Sequence, residues 1–367
     1  MGMALSCALL CGRLTHAADS EEQEKIKTAV EALTRLENVN LEEKPAMKAA
    51  VERVLEKTRG TPAFVKLVEH FHLTNQNPGL LEVAAANPTD ESGVAAMRLV
   101  LAAKDLPSIQ KALQTTNAAR LVEALGNAQD KQAVPVLEPL VTDEQRAPAV
   151  RRAAVGALAQ TQTGAAALLV LARKDKLPDN LKFLAASALN GARWPEIKAA
   201  AAQVLPLPAG QNAQPLPPVA ELVKMPGIAA KGAVIFRREN VGCIKCHQVL
   251  GEGRDVGPAL SEIGTKLPKE ALFEAILDPS AGISMGFEAW QLQLKSGDDA
   301  YGLKASETAD EIAIKDINGL VTRYKKTEVA SREQSKISIM PTGLQQTMST
   351  QELVDLVEYL FSLKKQP

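Results

Sequence analysis

The stretch Cys243-Ile244-Lys245-Cys246-His247 organises the reading of the whole chain. It is a C-x-x-C-H run, the attachment signature of c-type haem. Two thiols at this spacing can each add to one vinyl group of a porphyrin. The adjoining histidine is then held under the ring, where its imidazole can bind iron. Cys243 and Cys246 are therefore the expected covalent anchors, and His247 the expected iron ligand.

Three rival uses of the pair fare worse. A structural zinc takes four ligands, usually from two such pairs or from a pair and two histidines. The other cysteines are Cys7 and Cys11, and the other histidines are His16, His70 and His72, all far from the motif in sequence. A redox dithiol of the thioredoxin kind sits beside a βαβ pattern, whereas the flanks here read as loop and short helix. A disulfide between Cys243 and Cys246 would close a tiny, strained loop. His70 and His72, at i and i+2, point to opposite sides of a helix and cannot both face one ion. They are expected to be ordinary helix residues.

Length and composition set the frame around the motif. A chain of 367 residues has room for two or three domains. A net charge of -1 gives no electrostatic case for nucleic acid or an anionic membrane surface. Aromatics make up only 3%, and alanine and leucine are abundant, which favours helix over extensive sheet. Residues 1–18 resemble a secretory signal: Met3 to Leu10 is apolar, and Ala17-Ala18 precedes Asp19 and Ser20 as a cleavage site. The segment lacks a basic start, so a frayed terminus or misplaced start codon is the alternative. Its removal would take Cys7 and Cys11 with it and leave only the thiols of the motif. Covalent haem attachment is extracytoplasmic in bacteria, so the expected location is periplasmic or otherwise exported. No run of roughly 18 apolar residues follows, so no transmembrane segment is expected.

Residues 19–204 read as helix throughout. Ile26, Val30, Leu33 and Leu36 recur at helical intervals. Arg120 to Leu125, Arg152 to Leu158 and Phe183 to Leu189 look like versions of one helix, and their closing leucines lie 33 and 31 residues apart. Such periods indicate stacked helical hairpins, each unable to bury its apolar face alone. The Pro148 to Leu158 stretch resembles the second helix of a HEAT-type repeat. An irregular helical bundle is the alternative. Residues 205–218 hold Pro206, Pro208, Pro215, Pro217 and Pro218, which break helix and make a semi-stiff linker.

Residues 219–367 form the expected haem domain. Gly232 and Phe236, in a short helix ahead of the motif, resemble the first-helix pattern of class I cytochromes c. In those proteins the glycine admits a close crossing by the last helix and the aromatic packs near the ring. The resemblance also implies that Pro258, in Gly257-Pro258, offers its carbonyl to the Nδ1–H of His247, fixing the tautomer. It implies that Met340, in Met340-Pro341 just before the final helix, is the sixth iron ligand, with Met285 and Met348 as rivals. That last helix opens on a capping box, Ser349 to Glu352, and carries an apolar stripe of Leu353, Leu356, Val357 and Leu360. Between the middle and last helices, residues 287–325 alternate as strands. Trp290, Leu292 and Leu294 share one face, and Asn318-Gly319 marks a hairpin. A four-stranded antiparallel β-meander is expected there. The fold class expected is mainly α: a HEAT-like α-solenoid, then a class I cytochrome c-like domain with this inserted meander.

The C-x-x-C-H run occurs with Leu250 to Pro258, Ile276 to Ser280, Ser306 to Glu311 and Met340-Pro341. In combination these motifs are similar to the haem-binding domain family of planctomycete and verrucomicrobial proteins. Members often place this domain after helical repeats and sometimes after a β-propeller dehydrogenase. No propeller pattern is present here, so oxidation of sugars or alcohols does not carry over. The expected function is electron transfer by one covalent haem c, its iron held by His247 and Met340. The repeats would dock a redox partner protein, such as a dehydrogenase whose electrons the chain accepts. The alternatives are a haem enzyme or gas sensor with a displaceable sixth ligand, and a non-redox scaffold with structural haem.

Overall fold

The computed structural model describes residues 22–36, 39–206, 216–238 and 241–365. The expected signal segment and residues 207–215 of the expected linker lie outside the described residues. The chain divides into two compact units, Met1–Ala128 and Gln129–Pro367.

The first unit is built of short helices, ending in α1 (Ala118–Ala128). Several begin with proline in the first turn, as at Pro45 and Pro62, where the missing N–H costs no helical hydrogen bond. Leu67, Val83, Met97, Leu101 and Val122 are wholly buried between them. Side chains tie neighbouring turns: Arg120 donates to the carbonyls of Ala85 and Ala86, and buried Asn127 donates to Pro88 O at 2.8 Å. His72 departs from the expected helix. The helix ends at His70, and His72 sits in the left-handed region at φ 50°. Leu73 N then donates to Val68 O, closing a Schellman-type stop that satisfies a terminal carbonyl. His70 is spent on a structural bond, Nε2 to Leu36 O at 2.8 Å.

The second unit begins with further repeat helices, among them α2 (Pro148–Leu158) and α3 (Asp179–Asn190). Leu125 of α1, Leu158 of α2 and Leu189 of α3 are all buried, as the recurring pattern requires. Beyond them, the C-terminal domain packs α4 (Ala229–Arg237), α5 (Lys269–Leu277) and α6 (Thr350–Ser362) around Phe236, Phe273, Leu353, Leu356 and Val357. The crossing of α4 and α6 depends on Gly232, where an added Cβ would lie 2.0 Å from Asp355 O and 2.6 Å from Tyr359 Cβ. Phe236 and Tyr359 pack as a tilted ring pair across it, 5.8 Å between centroids. The Ser349–Glu352 capping box is formed, and Arg238 clamps the Glu352 carboxylate at 2.6 Å.

The inserted sheet has five antiparallel strands: β1 (Ala289–Leu294), β2 (Asp299–Glu307), β3 (Glu311–Lys315), β4 (Val321–Lys325) and β5 (Val329–Gln334). Their order is β4-β3-β2-β1-β5. The meander therefore runs one strand past the expected end at 325. The chain crosses back so that β5 pairs with β1 and covers its open edge. Leu292, Ala300, Ile312 and Ile314 form the small core of the sheet, with Trp290, Leu294 and Tyr324 against it. Among the described residues, no helix is long and apolar enough to cross a membrane.

Candidate haem-binding site

The site begins where α4 ends. Gly242, in the left-handed region at φ 78°, turns the chain into a short 3₁₀ turn over Cys243–Lys245. The carbonyl of Cys243 accepts from Cys246 N at 3.1 Å and His247 N at 2.9 Å. This turn sets both thiols and the imidazole on one short arc.

The loop that follows is stitched back onto the motif through its backbone. Arg254 N donates to Ile244 O, Val256 N and Gly257 N both donate to Cys246 O, and Leu260 N donates to Gln248 O. Two glycines make this possible. Gly253 has φ +100°, and a Cβ there would lie 2.2 Å from His247 O. At Gly257 a Cβ would meet His247 Cε1 at 2.5 Å, so the bare backbone is the shelf on which the imidazole rests.

His247 Nδ1 lies 2.8 Å from Pro258 O. A carbonyl can only accept, so Nδ1 carries the proton and the Nε2 lone pair is left for a metal. Burial pushes the His247 pKa down, opposed by that carbonyl, so the ring is neutral at neutral pH. Burial also pushes the Cys243 thiol up to about 11. Cys246 is raised by burial too, against the pull of Arg254 and Lys245. A redox-active dithiol requires the opposite, a stabilised thiolate. Both thiols are free.

These groups open onto a cavity of about 400 Å³ whose wall is mostly apolar. Phe236, Leu272, Ile276 and Leu356 line it from α4, α5 and α6, together with Cys243, Cys246, His247 and Pro258. Met340 and Met348 also line it. Met340 is half-buried, its N–H donating to Ser338 Oγ at 3.2 Å, while Met348 is only 9% exposed within the hydrophobic core. Met285, the other rival, is 94% exposed and is not among the lining residues. A largely apolar cavity with two thiols, a pre-oriented imidazole and a thioether in its lining matches the donor chemistry of a covalently held haem. Among the described residues, no cluster of three or more His, Cys, Asp or Glu is placed to hold a metal ion.

Sequence reasoning missed one part of the wall. Ile317 and Asn318, from the β3–β4 turn of the insert, line the cavity as well. Asn318-Gly319 signalled a hairpin, but no local pattern says where a hairpin tip will rest.

Comparison with known families gives two matches. Residues 106–206 match the family model for HEAT repeats, and residues 229–314 match the model for Cytochrome c. The second match starts with α4, takes in the motif and Gly257-Pro258, and ends in β3, ahead of Met340. No curated protein matches the chain. The chain thus joins HEAT repeats to a cytochrome c domain, a haem-binding module for electron transfer.

Proposed function

We propose that this chain is an exported c-type cytochrome with one haem, bonded through Cys243 and Cys246 and ligated by His247 and Met340. The observation that carries the reading is the His247–Pro258 hydrogen bond at the wall of an apolar cavity. It leaves an imidazole lone pair available beside two thiols.

Haem bound there would supply an iron centre that exchanges one electron between its ferrous and ferric states. The residues of the chain do the rest. Pro258 holds the His247 tautomer and raises its basicity as a ligand. Met340 offers a neutral thioether, which favours the reduced state and raises the potential. The apolar wall excludes water and disfavours the additional positive charge of the oxidised state. Covalent haem attachment, extracytoplasmic in bacteria, and the signal-like residues 1–18 support an exported, periplasmic placement. The order of helical repeats and haem domain in the family the chain resembles supports a redox partner, such as a dehydrogenase, docking on the repeats.

Mass spectrometry of natively purified protein should show the added mass of one haem, and a redox-difference spectrum a c-type α band. Met340→Ala should abolish the weak near-infrared methionine–iron band and lower the midpoint potential. Retention of that band in Met340→Ala would remove Met340 from the ligand set and leave Met348 in its place.

A further inference from the structure

The cavity wall contributed by the insert has an unusual support. The β3–β4 turn, residues 316–319, sends Ile317 and Asn318 into the lining. The turn is held internally by buried Asp316, whose Oδ1 accepts from Asn318 N and Leu320 N, both at 2.9 Å. One flank of the turn is fastened to the haem-motif loop. Arg254 Nη1 donates to Asn318 O at 3.1 Å, and Lys315 Nζ donates to Asp255 O at 2.8 Å.

Its other flank is fastened to the helical repeats. Gln129 Nε2 donates to Asp316 Oδ2 at 3.0 Å, and Asn318 Nδ2 approaches Gln160 Oε1 at 3.5 Å. The neighbouring β1–β2 turn is gripped from the same side. Lys131 Nζ donates to Ser296 O at 3.1 Å and pairs with Asp298, and Arg193 pairs with Asp299. The Arg193 guanidinium also lies between the rings of Trp194 and Tyr301, 4.3 and 4.8 Å from their centroids. The sheet is thus clamped between repeat helices and haem-motif loop, and the residues between the clamps form the cavity wall.

We infer that the β3–β4 turn is the closing wall of the haem crevice and that Gln129 and Gln160 of the repeats are positioning residues that set it. The repeat array then governs how far water and small ligands reach the crevice. Solvent access is one of the levers by which a protein tunes a haem potential. Anything that shifts Gln129 or Gln160 would shift the potential without touching either iron ligand. This inference rests on the haem reading proposed above.

The test uses the full haem-loaded chain and imidazole as the entering ligand. Gln129→Ala with Gln160→Ala should lower the midpoint potential and speed imidazole binding to the oxidised protein severalfold. Ile317→Ser, at a position already 40% exposed and so tolerant of a polar side chain, should move both readouts the same way. The triple variant should fall short of the summed effects, because the two changes act on one wall. If Gln129 and Gln160 serve only repeat stability, the double variant will lower the thermal midpoint while potential and imidazole rate stay at parent values. That result overturns the inference and leaves the haem reading intact. Additive effects in the triple variant also overturn it, because Ile317 and the glutamines would then act separately. A purified chain without haem mass overturns both readings.

Discussion

The repeat helices and the haem domain bury their interiors in different ways. In the repeats, Leu125, Leu158 and Leu189 do the same job in alternate helices, one per repeat, and each relies on its neighbours. In the haem domain single residues have no substitute. Gly232 lets two helices touch, Gly253 and Gly257 let a loop close on His247, and Gly264 would place a Cβ 2.0 Å from Phe361 O. A stack of like units spreads its stability over many equivalent positions. A fold wrapped around one ligand concentrates it at a few positions where backbone meets backbone.

The sharpest way to break this comparison is Gly232→Leu. Asp355 O belongs to the helix backbone and cannot swing aside, so the cost should exceed the roughly 1–3 kcal/mol usual for overpacking. The variant should lose haem incorporation and the helical signal of the C-terminal domain. A haem-loaded variant with parent-like circular dichroism would show that α4 and α6 can separate without penalty.

Next in size are Leu125→Ala, Leu158→Ala and Leu189→Ala, one at a time. Each should cost about 2–5 kcal/mol, the range for a buried leucine truncated in a packed core. Denaturant titrations should give similar losses for the three with haem content unchanged. One dominant leucine would argue against equivalent stacked units.

Ser349→Ala should cost less, on the order of 1 kcal/mol for a lost N-cap. It removes the hydroxyl that accepts from Glu352 N at 3.1 Å. The Glu352 carboxylate keeps its own bonds to Ser349 N and Arg238. A thermal shift as large as that of a leucine variant would show the cap to be part of the core.

The smallest effect belongs to the sheet surface. Arg332, Lys326 and Lys304 surround Glu307 and hold its pKa down at about 2. An unfolded glutamate titrates near 4.3, so the ionised form is favoured in the folded state and its contribution is present above about pH 4.3. It is lost as pH falls from there towards 2. In Glu307→Gln the slope of stability against pH across that window should flatten slightly, as expected for a solvent-screened cluster. An unchanged slope would show the cluster to be inert.

Much of this architecture could be read from the chain itself. The C-x-x-C-H run, the helical periodicity and the capping box are local signals, because each is a set of residues at fixed spacing acting on its own neighbourhood. Helix ends and strand edges were less legible. His72 lies past a helix stop made by a Leu73–Val68 backbone bond, which no side chain announces. The fifth strand, Val329–Gln334, is mostly exposed and carries Arg332 and Glu333, so it lacks the alternation that marks a half-buried strand.

By itself, then, the sequence determined that thiols and an imidazole share one short arc, that helices precede them, and that a sheet interrupts the haem domain. Only the tertiary structure decided which methionines reach the cavity, and that a hairpin tip held by Gln129 and Gln160 completes its wall. The physical reason is range. Spacing along the chain fixes which groups share a turn, whereas a cavity wall is assembled from distant segments whose meeting depends on how every intervening element packs.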